Sequence, residues 1–534
     1  VLKAEKKDGW GEDEMSQKKS VFGWLSGAAQ WVTALLSFVA FALLAAVSLV
    51  QTCRIDIGFS QDNNEHVSFL NDNIVFNLVI LVVLVALAVL LTRVVMKRRT
   101  AVWVGAAGIA LSACVGVWWV LASKALPGAD SLQIISTAQE LIAGNTGALT
   151  GSQYFRIYPY QTGYLLFAEG FLRLFGAGRL VVFQLFNVAF VALAQVAMLK
   201  IARELFDDPR VELLTAILLG LCIQPTLLST FLYGTLPGMA LAVWSVYFAC
   251  RAIRRGSWKP LIASAVLIAV AILLKKNFWI VLIAEALMLL FFALREKKWA
   301  IPACLAGMIA LSLVLPALTQ RLYEDRADAS FGKGTPQMAW LVTGFRDSSF
   351  CAGWYNGYTN NLLRDNDFDY ERALAQSKAD FAERADIFAS RPIYFASFFY
   401  HKVVSQWNEP AFQSIWSSAA SDRSGEVSEL VKSLGTGEAG TAMNAYFNQL
   451  MQFVYVAVAV GFFAMLIQKS ERDEARAIIP LILIGAAMYH ALFEAKSQYA
   501  IIYVPMMLPY AAFGIRWLGE KLPKLKKAGR AAEE

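Results

Sequence analysis

Hydrophobic and polar positions alternate along this chain on the length scale of a lipid bilayer, not on that of a strand or a surface helix. Apolar runs close to the roughly 20 residues a helix needs to cross the hydrocarbon core fall at 28–50, 74–96, 101–122, 180–199, 213–231, 236–250, 260–274, 278–294, 301–318, 451–467, 478–492 and 499–517. The pattern predicts an all-α polytopic membrane protein with about twelve transmembrane helices. Three polar stretches interrupt it: a short one holding Asp56, Asp62 and Glu65, a loop over 123–179, and a long region over 319–450. The chain therefore divides into an N-terminal tail with two spans (1–100), a transmembrane core containing the first large loop (101–318), a helical region (319–450), and three last spans with a basic tail (451–534).

Basic residues in the short loops set the orientation. Lys97, Arg98 and Arg99, then Arg203, Arg251, Arg254 and Arg255, Arg295, Lys297 and Lys298, Arg472, and the tail over 521–527 all fall on one side if the spans alternate. That side is cytoplasmic by the positive-inside rule, and it carries both termini. The loops over 123–179 and 319–450 then face outward. Lys275-Lys276 lands on the outer side and is the exception.

Within 123–179 the spacing predicts two helices lying on the membrane surface. Leu132, Ile135, Ala138, Leu141 and Ile142 make one apolar stripe, broken by Gly144, Asn145, Gly147 and Gly151. A second helix starts after Pro159, carries Leu165, Leu166, Phe171 and Leu174, and pairs Glu169 with Arg173 on its surface. In the long region a helix is expected over 370–389, followed by an aromatic anchor at Tyr394, Phe395, Phe398, Phe399 and Tyr400. A region of this length with helices of its own reads as a small cap on the membrane face.

Composition supports the membrane reading and removes others. At 57% apolar residues and a mean hydropathy of +0.49, a soluble globular chain is excluded. The net charge of +7 would be compatible with nucleic acid, but the basic residues sit between apolar runs as topology requires. Of six cysteines, Cys114, Cys222, Cys250 and Cys304 lie in apolar runs; Cys53 and Cys351 lie in polar loops on one side, with no spacing that settles whether they pair. The tail before the first run mixes charges and is expected to be mobile. No cleavable signal peptide is expected, and Val1 suggests a trimmed or alternative start.

Asp130, near the start of the first large loop, is the leading candidate for chemistry. It can cap the following helix, with Gln133 three residues on completing a capping box. It can equally take a proton from an acceptor hydroxyl at the membrane face, and the two roles are compatible. Lys496, Arg156 and Lys402 are outward cations; for Lys496 the alternative is a snorkelling side chain. Glu409 before Pro410 and Glu494 are outward carboxylates, read either as a turn residue and an ion-pair partner or as binding groups. Asp365, Asp367 and Asp369 lack the glycine of a calcium loop, and Asp369 suffices as a cap for the helix at Tyr370. His66, His401 and His490 are too scattered for a zinc pattern. No glycine-rich phosphate loop occurs, and a metal is not indicated.

The order of motifs resembles the GT-C superfamily, specifically the bacterial relatives of protein O-mannosyltransferases and aminoarabinose transferases of Gram-positive type. The residues are Ala129-Asp130; Tyr154-Phe155, Tyr158-Pro159, Gln161 and Gly163; Leu174-Phe175-Gly176; Gly334-Thr335-Pro336 to Trp340; Gly353-Trp354-Tyr355-Asn356; Ser405-Gln406-Trp407-Asn408-Glu409-Pro410; and His490 through Glu494, Lys496 and Tyr499. The resemblance covers the chain from about residue 101 and leaves two extra N-terminal spans outside it. It implies transfer of a sugar, with inversion, from a polyprenyl-phosphate carrier to an extracytoplasmic acceptor such as a cell-wall teichoic acid or rhamnose-rich polysaccharide. It implies Asp130 as base, and a site in the plasma membrane of a bacterium with no cofactor. Lys496, Arg156 and Lys402 would bind the donor phosphate; Tyr154, Tyr158, Gln161, Trp407, Glu409 and Glu494 would contact sugar or acceptor. Many relatives carry Arg where this chain has Gln498, so the resemblance implies that phosphate binding shifts to Lys496 or weakens. A transporter or flippase of lipid-linked sugars is the main alternative, and a non-catalytic envelope-assembly scaffold a third. A transporter should carry ionisable residues at the midplane, where Glu285 is the one awkward residue.

Overall fold

The computed structural model describes residues 10–55, 65–94, 97–419 and 429–522. The first nine residues, Asp56, Asp62, Met96 and the tail after 522 lie outside the described residues. Among those described, eleven helices are long and apolar enough to cross a membrane, and Pro260–Leu274 is a shorter apolar helix. The first helix is longer than the hydropathy pattern predicts, running over Trp10–Ser48. With no proline before the apolar run, nothing breaks the helix as it extends backwards into the polar tail.

One element is not helical. Gln51–Ile55 and Val67–Asn71 form an antiparallel hairpin in the loop between the first two spans, with Cys53 opposite Phe69 and Ile55 opposite Val67. Strands this short leave little alternation to read in the sequence. What holds them is tertiary: Cys53, Ile55 and Val67 are buried against Trp354, Val404 and Ala495, while the Cys53 amide donates to the Asn408 carbonyl at 2.8 Å and the Val67 amide to Phe350 at 3.2 Å. Cys53 and Cys351 are both free thiols in this cluster.

The spans leave the molecule with two different faces. At one, arginines tie neighbouring helix ends together: Arg98 to Asp207 and Glu212, Arg203 to Glu212, Arg210 to Glu520, Arg254 to Asp473, and Arg295 to Glu474. The other, the loop face, gathers the hairpin, the 124–179 loop, the turns at Phe231–Gly234 and Lys275, the described residues of 328–419 and 429–437, and the turn at Phe493–Lys496. The last helix system, Ser497–Lys521, is the bundle's inner member: Ile501 to Ile515 are essentially inaccessible. It packs on Glu438–Ile467, where Gly461 and Gly514 leave no room for a side chain. Lys496 therefore sits at the head of the most deeply buried helix.

The two surface helices of the first large loop are Ala129–Ile142 and Thr162–Phe175, with two single-turn helices, Ala148–Gly151 and Tyr154–Ile157, between them. Glu169 does more than make a surface pair. It is buried, bonded to Arg173 at 2.7 Å, to Arg326 at 2.8 Å and 3.0 Å and to the Tyr323 hydroxyl at 2.7 Å. Burial alone would raise its pKa, but Arg326, Tyr323 and Arg173 outweigh it and bring it down to about 2. The network clamps the second surface helix to Ala300–Ala327. In the cap, Asp369 accepts from the amides of Glu371 and Arg372 and starts the helix Tyr370–Ser390. The aromatic run lies on Pro392–Trp407, where Phe398 is buried against Phe388 while Ile393, Phe395 and Tyr400 stay exposed.

Candidate active site

The loop face encloses a cavity of about 640 Å³, within the range of small-molecule sites. Its charged lining comes from separate segments: Glu65 from the hairpin loop, Asp130 from the first surface helix, Lys275 and Lys276 from the turn between two spans, Arg364 from the cap, and Glu494 and Lys496 from the turn before the last span. Tyr154, Tyr158, Tyr160, Tyr233, Tyr355, Tyr489, Tyr499 and Trp340 supply aromatic walls.

Asp130 does not cap its helix. The cap position is Gly128, Asp130 lies in the first turn, and no side chain bonds the exposed amides. The capping-box reading fails because the helix starts two residues earlier than the pattern indicates. This frees the carboxylate to open on the cavity. Ala129, immediately before it, is held at φ +49°, a left-handed conformation that costs a non-glycine residue of order 1 kcal/mol. The Asp130 side chain is solvent-accessible within the cavity, yet protein encloses that cavity on most sides. Burial accordingly raises its pKa, opposed by the charge of Lys496, the Tyr154 hydroxyl and Lys275. Tyr154 comes near without completing a hydrogen bond, and its oxygen has no partner.

Lys275 donates to Thr235 Oγ1 at 3.1 Å and lies over the rings of Tyr233 and Tyr499 at 4.9 Å and 5.3 Å. Burial lowers its pKa to about 8, with Asp130 opposing. Lys276 lies over Tyr160 at 4.2 Å. The turn that carries both is seated by two glycines: a side chain at Gly163 or Gly234 would strike the carbonyls of Leu273 and Leu274. Burial alone would lower the pKa of Lys496, but Glu65, Glu494 and Asp130 raise it. Glu494 accepts from the Tyr499 hydroxyl at 2.8 Å and keeps one oxygen unpartnered; burial raises its pKa against the pull of Lys496. Burial also pushes Tyr154, Tyr158, Tyr160 and Tyr233 upward, so their hydroxyls stay protonated donors.

Distant motifs build these walls. Thr335 bonds the Ile157 carbonyl through its amide at 3.0 Å and its hydroxyl at 3.1 Å, docking the Gly334-Thr335-Pro336 turn on the Tyr154–Ile157 helix. The Ala495 amide donates to Gly353 at 2.8 Å, and Trp354 Nε1 donates to Ser405 at 2.9 Å. Lys496 and Tyr355 are thereby held side by side. Gln161 bonds the Tyr233 hydroxyl.

Tyr154, Tyr158, Gln161, Glu494 and Lys496 thus line the cavity with Asp130, and four other sequence candidates do not. Arg156 stacks on Phe368 at 4.0 Å. Lys402 is buried beneath the cap, donating to the Gly344 carbonyl at 2.6 Å, with burial lowering its pKa to about 7. Trp407 packs beside Tyr503 in the bundle core. Glu409 accepts from the amides of Ala411 and Gln413 and from Ser497, so it fixes a turn; burial raises its pKa to about 7. Glu285 is also away from the cavity, where Ser245 Oγ donates to it at 2.9–3.0 Å. Sequence reasoning missed Glu65, Lys275, Lys276, Tyr233 and Arg364. The one signal was the Lys275-Lys276 pair on the side where basic residues are scarce. Among the described residues, no cluster of His, Cys, Asp and Glu is arranged to hold a metal ion.

Residues 162–319 match the family of dolichyl-phosphate-mannose-protein mannosyltransferases. The matched stretch begins at the second surface helix and ends in the helix Ala300–Ala327, so it includes Tyr233, Lys275 and Lys276 but neither Asp130 nor Lys496. No curated protein matches the chain. Among solved structures the chain is similar to the crystal structure of ArnT from Cupriavidus metallidurans bound to undecaprenyl phosphate. The two are 18% identical, with 77% of this chain and 78% of that one covered and a TM-score of 0.32.

Proposed function

We propose that this protein is a glycosyltransferase that moves a sugar from a polyprenyl-phosphate carrier to an acceptor hydroxyl outside the cytoplasmic membrane of a bacterium, with inversion at the anomeric carbon. The observation that carries the reading is the opening of a carboxylate, Asp130, and three lysines, Lys275, Lys276 and Lys496, onto one cavity at the loop face. Asp130 takes the acceptor's proton as that oxygen attacks the anomeric carbon from the face opposite the leaving group. The bond from the anomeric carbon to the phosphate oxygen breaks, and its electron pair leaves with the lipid phosphate. Lys496, Lys275 and Lys276 stabilise the charge that grows there. The unpartnered Tyr154 hydroxyl, Glu494 oxygen and Gln498 amide are available to sugar hydroxyls, and the tyrosines to its C–H faces.

A lipid-linked donor suits a cavity at the bilayer surface, where the isoprenoid tail stays in hydrocarbon. Placing the basic face in the cytoplasm puts the cavity outside, where a cell-wall glycopolymer is the acceptor. The experiment compares wall sugar composition in a deletion strain carrying the wild-type gene or Asp130→Asn. One sugar should be lost on deletion and restored only by the wild type. Full restoration by Asp130→Asn, as a transporter or scaffold would give, overturns the proposal.

A further inference from the structure

Lys496 already holds an anion, and that anion comes from the N-terminal part of the chain. Both Glu65 oxygens lie on its ammonium, at 2.7 Å and 2.8 Å. Glu65 is 6% exposed, and its position is set by the hairpin: two residues on, Val67 is pinned to Phe350 and buried beside Trp354 and Ala495. Trp354 and Ala495 also belong to the bridge that positions Lys496. The same apolar cluster therefore fixes both members of the pair. Around them the cavity presents Asp130 and Glu494 as further carboxylates, and Lys275 as the other cation coupled to Asp130.

An ammonium gripped by both oxygens of a carboxylate offers that approach to no second anion. We propose that Glu65 is a positioning residue of the transfer reaction: it holds Lys496 aimed into the cavity between turnovers and competes with the lipid phosphate for it. Arriving donor phosphate displaces the carboxylate from the ammonium. When the sugar has left, Glu65 takes Lys496 back and helps the polyprenyl phosphate leave. No bond is made or broken in this exchange; one anion replaces another on the same cation. The inference rests on Lys496 as a phosphate-binding residue, and it draws the N-terminal spans and hairpin into the catalytic cycle.

The test measures binding of undecaprenyl phosphate to the full-length protein in nanodiscs for wild type, Glu65→Gln, Glu65→Ala, Lys496→Met and Glu65→Gln/Lys496→Met. Both Glu65 variants should bind roughly fivefold more tightly, the scale of one partly screened ion pair, and the gain should vanish in the Lys496→Met background. In turnover, Glu65→Gln should lower KM and kcat together as product release slows, a pattern that loss of structure alone does not produce. Unchanged or weaker binding in both Glu65 variants overturns the inference while leaving Lys496 in place. Failure of the underlying phosphate assignment shows differently: Lys496→Met then binds as tightly as wild type, and the inference falls with it.

Discussion

At Lys275 burial and chemistry pull in opposite directions. A cation between two tyrosine rings is poorly hydrated, and its pKa falls to about 8, so the charged form is complete below that pH and lost above it. If the ammonium binds donor phosphate, kcat/KM, which reports groups on the free enzyme, should decline about tenfold per pH unit above pH 8. Lys275→Arg, whose side chain stays charged, should remove that limb. A limb that persists in Lys275→Arg would assign it to another group. Burial raises the pKa of Asp130, and activity should fall as lower pH returns the proton to its carboxylate. Placement at the cavity was legible where a motif carried it, as at Asp130, Tyr158 and Lys496. It was not legible where a residue's role depends on which loop faces it. Glu65 was only one charge in a polar stretch until the hairpin placed it on Lys496.

At the scale of elements, the second surface helix matters because its start carries Gln161 and the close approach at Gly163. Its clamp is Glu169. Removing one partner from hydrogen bonds to charged groups costs about 1–3 kcal/mol, so Glu169→Ala should lower the midpoint of thermal unfolding in detergent, with transfer reduced further as the cavity wall loosens. The folded-state pKa of about 2 lies below the usual 4.5. The clamp's contribution is therefore complete above pH 4.5 and drains away as pH falls toward 2 in the wild type only. Identical melting of both proteins at pH 7 would contradict this. Helix existence was readable from apolar periodicity, including the 370–389 stretch observed as Tyr370–Ser390. Asp130's register was not, since a two-residue shift in helix start turns a cap into a free carboxylate. Lys402 and Glu409 misled because polar residues in polar loops can still be buried by the fold around them.

For the molecule as a whole, arginine ion pairs stitch one face while the other collects a hairpin, two surface helices, a cap and three tight turns around one cavity. The deeply buried last helix presents Lys496 to that cavity, and the first surface helix presents Asp130. This division of labour was readable as topology: the basic clusters predicted one face, and the polar stretches the other. The convergence of those stretches was not readable, because it is made by long-range contacts such as Ala495 to Gly353. The most direct test of the account is a paired measurement on purified, reconstituted protein: sugar transfer from a polyprenyl-phosphate donor and binding of polyprenyl phosphate, for wild type and Asp130→Asn. Loss of a general base should cut kcat by about 10²–10⁴-fold while lipid-phosphate binding stays within twofold of wild type. Transfer by Asp130→Asn at the wild-type rate would contradict the account.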